Sequence, residues 1–204
     1  MGRTSTAKER LVGAAEELMR GRGYGSLGVA EICARADVRK GSFYHFFASK
    51  QALTVAVIDA YWESQRACWQ GELSGEGAAL ERLERLLAAM TGVQRRAKEE
   101  SGAVEGCMLG NLALELSTQE PDVRARLEEV FDEQIRLVEG ALVDAAAEGA
   151  VPAGRAGREA AQAVISQLEG MVLLAKLKND PAVLDGLWPH TLLLLQAADR
   201  PQGS

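Results

Sequence analysis

Apolar residues recur along this chain at spacings of three and four, and no stretch holds a sustained alternation of two. That period puts them on one face of successive helices. Thr6-x-x-Glu9 has the form of a capping box, and Leu11, Ala14, Ala15 and Leu18 follow it on one side of a helix over about 6–20. Gly21 and Gly23 end that helix. A short helix over about 29–35 turns Val29, Ile32 and Cys33 inward. A turn through Ala36 and Asp37 leads to another short helix over about 39–46. Ser49 is placed to cap a long helix running to about residue 70, with Leu53, Val57 and Ala60 along one side. Gly71, Gly75 and Gly77 then break the pattern. Further helices are predicted over about 78–98, 107–118, 121–148, 156–178 and 182–198. Pro121 and Pro181 stand at first helical positions, the second after a capping Asp180. The fold class predicted is all-α.

Two short helices joined by a tight turn form the helix-turn-helix arrangement, and residues 27–50 have that form. In the second helix Phe43, Phe46 and Phe47 are suited to packing against the head. Arg39, Lys40, Ser42, Tyr44 and His45 are left outside, a set able to meet phosphates and base edges on an element narrow enough for a major groove. Gly41 lets the backbone come close to DNA. Lys50, just inside the next helix, adds a candidate phosphate anchor. A solvated charged face on a small bundle explains the same residues without DNA.

Charge sharpens this picture. The 204 residues carry a net charge of −6, which argues against a nucleic-acid partner until the chain is divided. Through residue 60 there are nine Lys and Arg against six Asp and Glu; beyond it, 14 against 23. A basic head and an acidic body follow. Apolar residues at 47% and charged residues at 25% belong to a chain with a packed core, although aromatics are only 5%. The longest unbroken apolar runs, about five residues, fall far short of the roughly 18–20 that span a bilayer. No charged-then-apolar leader opens the chain. Cys33, Cys68 and Cys107 cannot all pair with one another and show no C-x-x-C spacing, which favours free thiols in a cytoplasmic protein.

Gly23-x-Gly25-x-x-Gly28 has the form of a dinucleotide fingerprint, but that motif works between a strand and a helix. Here a helix precedes it, so the glycines are read as a helix–helix turn. His45 and His190 are the only histidines, too few for a His-rich metal site or a catalytic triad, and no cofactor, metal or catalytic residue is expected.

The run Gly23-Tyr24, Val29-Ala30-Glu31-Ile32, Ala36-Asp37-Val38-Arg39-Lys40-Gly41-Ser42-Phe43-Tyr44-His45-Phe46-Phe47-Ala48-Ser49-Lys50 and Leu53 resembles the DNA-binding signature of the TetR/AcrR family of transcriptional regulators. The resemblance covers about fifty residues. It implies a helix-turn-helix head over 1–50 and a ligand-binding and dimerisation body over 51–204, about nine helices in all. It also implies a homodimer through the last two helices, a near-palindromic operator and a small effector. Lys40, Ser42, Tyr44 and His45 would face DNA, and Lys50 a phosphate. Many relatives have Ser or Thr where this chain has Gly28, and Arg where it has Ala30. Readout would therefore lean on residues 39–45.

In the body, Gly106-Cys107-x-x-Gly110-Asn111-Leu112-x-x-Glu115, with Glu169-Gly170-x-x-Leu173-x-Ala175-Lys176, resembles the NemR- and AcuR-like branch, associated with reactive electrophiles or short unsaturated acids. The resemblance implies that Cys107 is a sensing thiol and Lys176 its neighbour. Cys107, Asn111 and Glu115 fall at i, i+4 and i+8 as a polar stripe. A cysteine in a first helical turn has its thiolate favoured by the helix dipole, while Glu105 and Glu115 oppose this. Glu169 and Lys176 either line a polar cavity or sit at the helix edge. Trp62, Trp69, Met90 and Met108 are pocket walls or plain core. The last two helices carry Ala160, Ala161, Val164, Leu168, Met171, Val172, Leu184, Leu187, Trp188, Leu192 and Leu195, more apolar surface than a monomer's core needs.

The function predicted is a ligand-responsive transcriptional regulator, a repressor rather than an activator, and not an enzyme. A helical adaptor that binds protein without DNA, or a cysteine-based enzyme around Cys107, are the alternatives.

Overall fold

A computed structural model describes residues 2–196, with side chains from Ala7 on. Among the described residues all regular structure is helical: α1 Gly2–Arg22, α2 Val29–Arg35, α3 Lys40–Phe46, α4 Lys50–Ser74, α5 Ala79–Ser101, α6 Met108–Leu116, α7 Pro121–Ala147, α8 Arg158–Lys178 and α9 Leu187–Leu195. Two 3-10 helices, Ala153–Arg155 and Pro181–Gly186, lie before α8 and α9.

Several ends follow the local chemistry. Ser49 Oγ accepts from Ala52 N at 3.1 Å and so caps α4. Asp180 accepts from Ala182 N at 2.9 Å ahead of Pro181. Others do not. α1 begins at Gly2, so Thr6 is inside the helix rather than at its cap. α4 runs through Gly71 and ends at Ser74. Of the helix expected over 182–198, residues 197 and 198 lie outside the described residues; the rest is a 3-10 turn followed by α9, because Pro189 fits only in a first helical turn. In a helix interior it would cost about 3 kcal/mol.

The chain divides into two compact units: residues up to Gln65 with Met108–Val130, and Arg66–Cys107 with the chain from Phe131 on. α4 and α7 each run from one unit into the other, and α6 falls in the first unit.

In the first unit α1, α2 and α3 pack on one another around Leu11, Ala15, Ile32, Cys33 and Phe43, with Leu53 and Val57 of α4 also buried. Asp37 adopts φ 51°, and Val38 N donates to Cys33 O at 2.9 Å, closing the turn between α2 and α3. In the second unit α8 packs on Pro181–Gly186 and on α9, and both of these meet α5. The N-terminus of α5 has no local side-chain cap. Glu148 of α7 supplies one, accepting from Ala79 N at 2.9 Å. By length and composition alone α8 is apolar enough to cross a membrane, a test that core helices also pass. Its Val164, Leu168, Val172 and Ala175 are buried within the unit.

Candidate nucleic-acid interface and effector site

The DNA-facing prediction begins from what α3 buries. Phe43 is fully buried and Phe47, just past the helix, nearly so, their rings 5.9 Å apart. With that side anchored, Arg39, Lys40, Gly41, Ser42, Tyr44 and His45 are all exposed. The Tyr44 ring stands edge-on to Phe43 at 5.1 Å and His45 edge-on to Phe46 at 5.1 Å, so the two exposed rings are braced by inner ones. Beside them lies a recess of about 560 Å³ whose walls include Arg10, Asp37, Arg39, Ser42 and His45. Arg10 was not singled out in the sequence. It comes from α1 and meets Asp37 at 3.5 Å. Its signal is its place one turn before Ala14 on the head's first helix, visible only once α1 and α3 are packed.

Lys50, expected at a phosphate, has a different position. Its ammonium donates to the carbonyls of Tyr24 at 3.0 Å and Leu27 at 2.8 Å, and lies 3.5 Å from the Tyr24 ring centre. Partial burial pulls its pKa below the usual lysine value, opposed by Glu115 and Glu120. The cation ties down the α1–α2 loop.

The same loop receives an anion. Glu115 of α6 accepts from Tyr24 N at 2.8 Å and from Gly25 N. Gly23 is left-handed at φ 76°, and a Cβ on Gly25 would stand only 2.8 Å from Glu115 Oε1. The glycine fingerprint is thus a helix–helix turn whose amides do cradle a carboxylate, the chain's own. Glu115, expected among the effector-site residues, is engaged by these loop amides. Burial, then Glu120 and Glu115, push the Tyr24 phenol up. Gln51 of α4 donates to Glu120 at 2.9 Å, a second tie from the α6–α7 turn.

In the second unit Cys107 is half-buried at the end of a fastened turn. Gln94, a buried side chain of α5, accepts from Gly106 N at 3.0 Å and donates to Gly106 O at 3.1 Å. Gly106 is left-handed at φ 81°. Asn179, which ends α8 at φ 50°, accepts from Val104 N at 2.9 Å and donates to Gly102 O at 3.2 Å. The turn is thereby tied to both α5 and α8. On α8, Glu169 is half-buried, and burial pushes its carboxyl above the usual carboxylate value, opposed by the Cys107 thiol. Lys176 is exposed in the last turn of α8 and Asn111 half-buried on α6. Trp62, Trp69 and Met108 are core residues, and Met90 is half-buried. Cys33 is buried and Cys68 exposed. Among the described residues no cluster of three or more His, Cys, Asp or Glu is placed to hold a metal.

Most of the apolar residues singled out on the last two helices, Ala161, Val164, Leu168, Val172, Leu184, Leu187 and Leu195, are buried within the monomer. Leu173, Leu174 and Leu177 of α8 and Leu193 of α9 are exposed, the last two to 77% and 76%.

Comparison with known proteins bears on both regions. Residues 11–57 match the model of the bacterial regulatory proteins of the tetR family, and residues 79–191 the tetracyclin repressor-like C-terminal domain. The transcriptional regulator AcuR of Cereibacter sphaeroides is 35% identical over 178 residues, 87% of this chain and 80% of that one. The HTH-type transcriptional repressor NemR of Escherichia coli is 29% identical over 138 residues, 66% of each chain. Its reduced form has been solved; this fold superposes on it with a TM-score of 0.81 at 26% identity, covering 96% and 98% of the two chains. A regulatory protein TetR from Rhodobacter sphaeroides gives 0.80 at 31% identity, covering 91% and 96%. The chain belongs to the TetR family of transcriptional regulators, a family of DNA-binding proteins rather than enzymes.

Proposed function

We propose that this protein is a cytoplasmic one-component repressor that binds a near-palindromic operator as a homodimer and is released by a small electrophile at Cys107. The exposed row Arg39, Lys40, Ser42, Tyr44 and His45 on the buried Phe43 carries the reading. Two cations, two hydroxyls and an imidazole on a seven-residue helix suit a major groove, and Gly41 leaves its backbone unobstructed. Arg10 joins them as a phosphate contact.

Repression is supported by the similarity to NemR, a transcriptional repressor. The homodimer is supported by Leu173, Leu174, Leu177 and Leu193, an exposed apolar group on the two helices that would form a two-fold four-helix interface. The polar groups proposed for the effector site in the second unit are Cys107, Glu169 and Lys176. Effector action requires a free-energy difference between DNA-competent and incompetent states. A coupling of about 3 kcal/mol weakens operator binding roughly 150-fold. Glu115 supplies a route, because a shift of α6 pulls on the loop that positions α2.

The test is a titration of the duplex upstream of the protein's own gene at several salt concentrations, with wild type and Lys40→Glu. Tight binding that weakens steeply with salt, and a variant with weaker binding and a shallower slope, support the reading. Equal binding by both proteins contradicts it.

A further inference from the structure

The turn between α2 and α3 carries a charge that its geometry does not ask for. Asp37 stands at φ 51°, in the left-handed region, where glycine fits without strain and Asn or Asp is tolerated. Backbone bonds close the turn, Val38 N to Cys33 O at 2.9 Å and Asp37 N to Ala34 O at 3.2 Å, so no carboxylate is needed there. The Asp37 carboxylate is fully exposed, on the wall of the recess of about 560 Å³ that also takes in Arg10, Arg39, Ser42 and His45. An anion at that place opposes the polyanion that the exposed row of α3 is suited to meet. Its partner is Arg10, half-exposed on α1, through a single contact of 3.5 Å. The pairing is loose beside that of Arg35, whose Nη2 donates to both oxygens of Glu17 at 2.7 Å away from the recess.

We propose that Asp37 is a built-in competitor of the DNA backbone: it holds Arg10 in the recess until a backbone phosphate takes the guanidinium, and so limits the affinity of the head for any duplex. The inference rests on the reading of this chain as a DNA-binding regulator and deepens the role of Arg10 in it. A guanidinium forks onto two oxygens, and a phosphate offers a pair that the single contact with Asp37 does not. The exchange breaks one exposed ion pair, which is weak, and leaves the carboxylate facing the phosphates. Both effects lower affinity. Neither depends on base sequence, because phosphates carry none. A head restrained in this way relies more on the base-facing residues of α3.

The experiment is a salt-dependent titration of two duplexes, the one upstream of the protein's own gene and a random sequence of equal length. The full-length proteins are wild type, Asp37→Asn, Asp37→Gly, Arg10→Gln and Asp37→Asn combined with Arg10→Gln. Asn and Gly both accept φ 51°, so the turn is kept and two variants report on one charge. Each is expected to bind both duplexes about tenfold more tightly. The fall of log K with log salt should steepen by about 0.9, the mark of one more phosphate neutralised. On the Arg10→Gln background the Asn substitution should gain less than about threefold, since the two residues act as a pair. An equal gain with and without Arg10 makes Asp37 a plain repulsive charge, and a gain confined to the gene's own duplex makes it a base contact. Either result overturns the proposal, as does unchanged binding by both Asp37 variants. Lys40→Glu in the same titration separates the proposal from the reading beneath it. Weaker binding by Lys40→Glu with no effect at Asp37 removes the competitor and leaves the regulator standing. Binding by Lys40→Glu equal to wild type removes both.

Discussion

Two glutamates, one in each compact unit, are handled in opposite ways. Glu115 in the first unit sits on two backbone N–H groups, with Lys50 neutralising the carbonyls of the same loop. Glu169 in the second is half-buried beside a thiol and has its pKa raised by that burial. Backbone donors stabilise an anion and make it a fixture, whereas desolvation without a full set of donors leaves a carboxylate inclined to take a proton. The first arrangement holds structure together; the second is suited to chemistry. In the head, Lys50, Thr54 and Glu115 are hydrogen-bonded to backbone, while Arg39, Lys40, Ser42, Tyr44 and His45 face outward along α3.

The largest effect is expected at the body's exposed leucines. Leu177→Asp with Leu193→Asp places charges in the proposed two-fold interface, each counted twice by symmetry. A loss of about 4 kcal/mol raises the dimer dissociation constant roughly a thousandfold. Sedimentation should then find monomers where the wild type is dimeric; an unchanged mass moves the interface elsewhere.

In the head, Glu115→Ala leaves the Tyr24 and Gly25 amides without their acceptor, at a cost of about 1–3 kcal/mol. Thermal unfolding should fall by several degrees, with faster hydrogen exchange at those two amides. Gly25→Ala should act in the same direction, because the new Cβ stands 2.8 Å from Glu115 Oε1. Unaltered exchange in both variants removes the tether from the account.

The smallest effect concerns Glu169 and pH. Its folded pKa is raised, so between the ordinary carboxylate value and the raised one the folded chain keeps a proton that the unfolded chain has released. Stability contributed by this group is therefore lost as pH climbs through that window. Glu169→Gln should flatten that part of the curve of melting temperature against pH. A curve of the same slope in both proteins removes the burial penalty from the account.

The helices were legible because their apolar period is local, and α2 was bounded to the residue at Val29–Arg35. So was the row on α3, whose inner and outer residues separate within one turn and a half. Where reasoning along the chain failed, the partner was distant in sequence. Tyr24 and Glu115 are 91 residues apart, and nothing in either segment announces the other. The i, i+4, i+8 spacing of Cys107, Asn111 and Glu115 suggested one site, but the period could not show that Glu115 is taken up by the Tyr24 and Gly25 amides. On α8 the buried apolar residues were recognised as apolar but not sorted from Leu173, Leu174 and Leu177. A helix apolar on most of its circumference gives no phase by which to tell core from interface.

The central claim is that chemistry at Cys107 controls what α3 does at DNA. Its most direct test is the lifetime of the operator complex after addition of acrolein, compared between wild type and Cys107→Ser. The account predicts rapid release of the wild type, while the serine variant stays bound with its affinity for DNA unchanged. Release of both at one rate, or of neither, contradicts it.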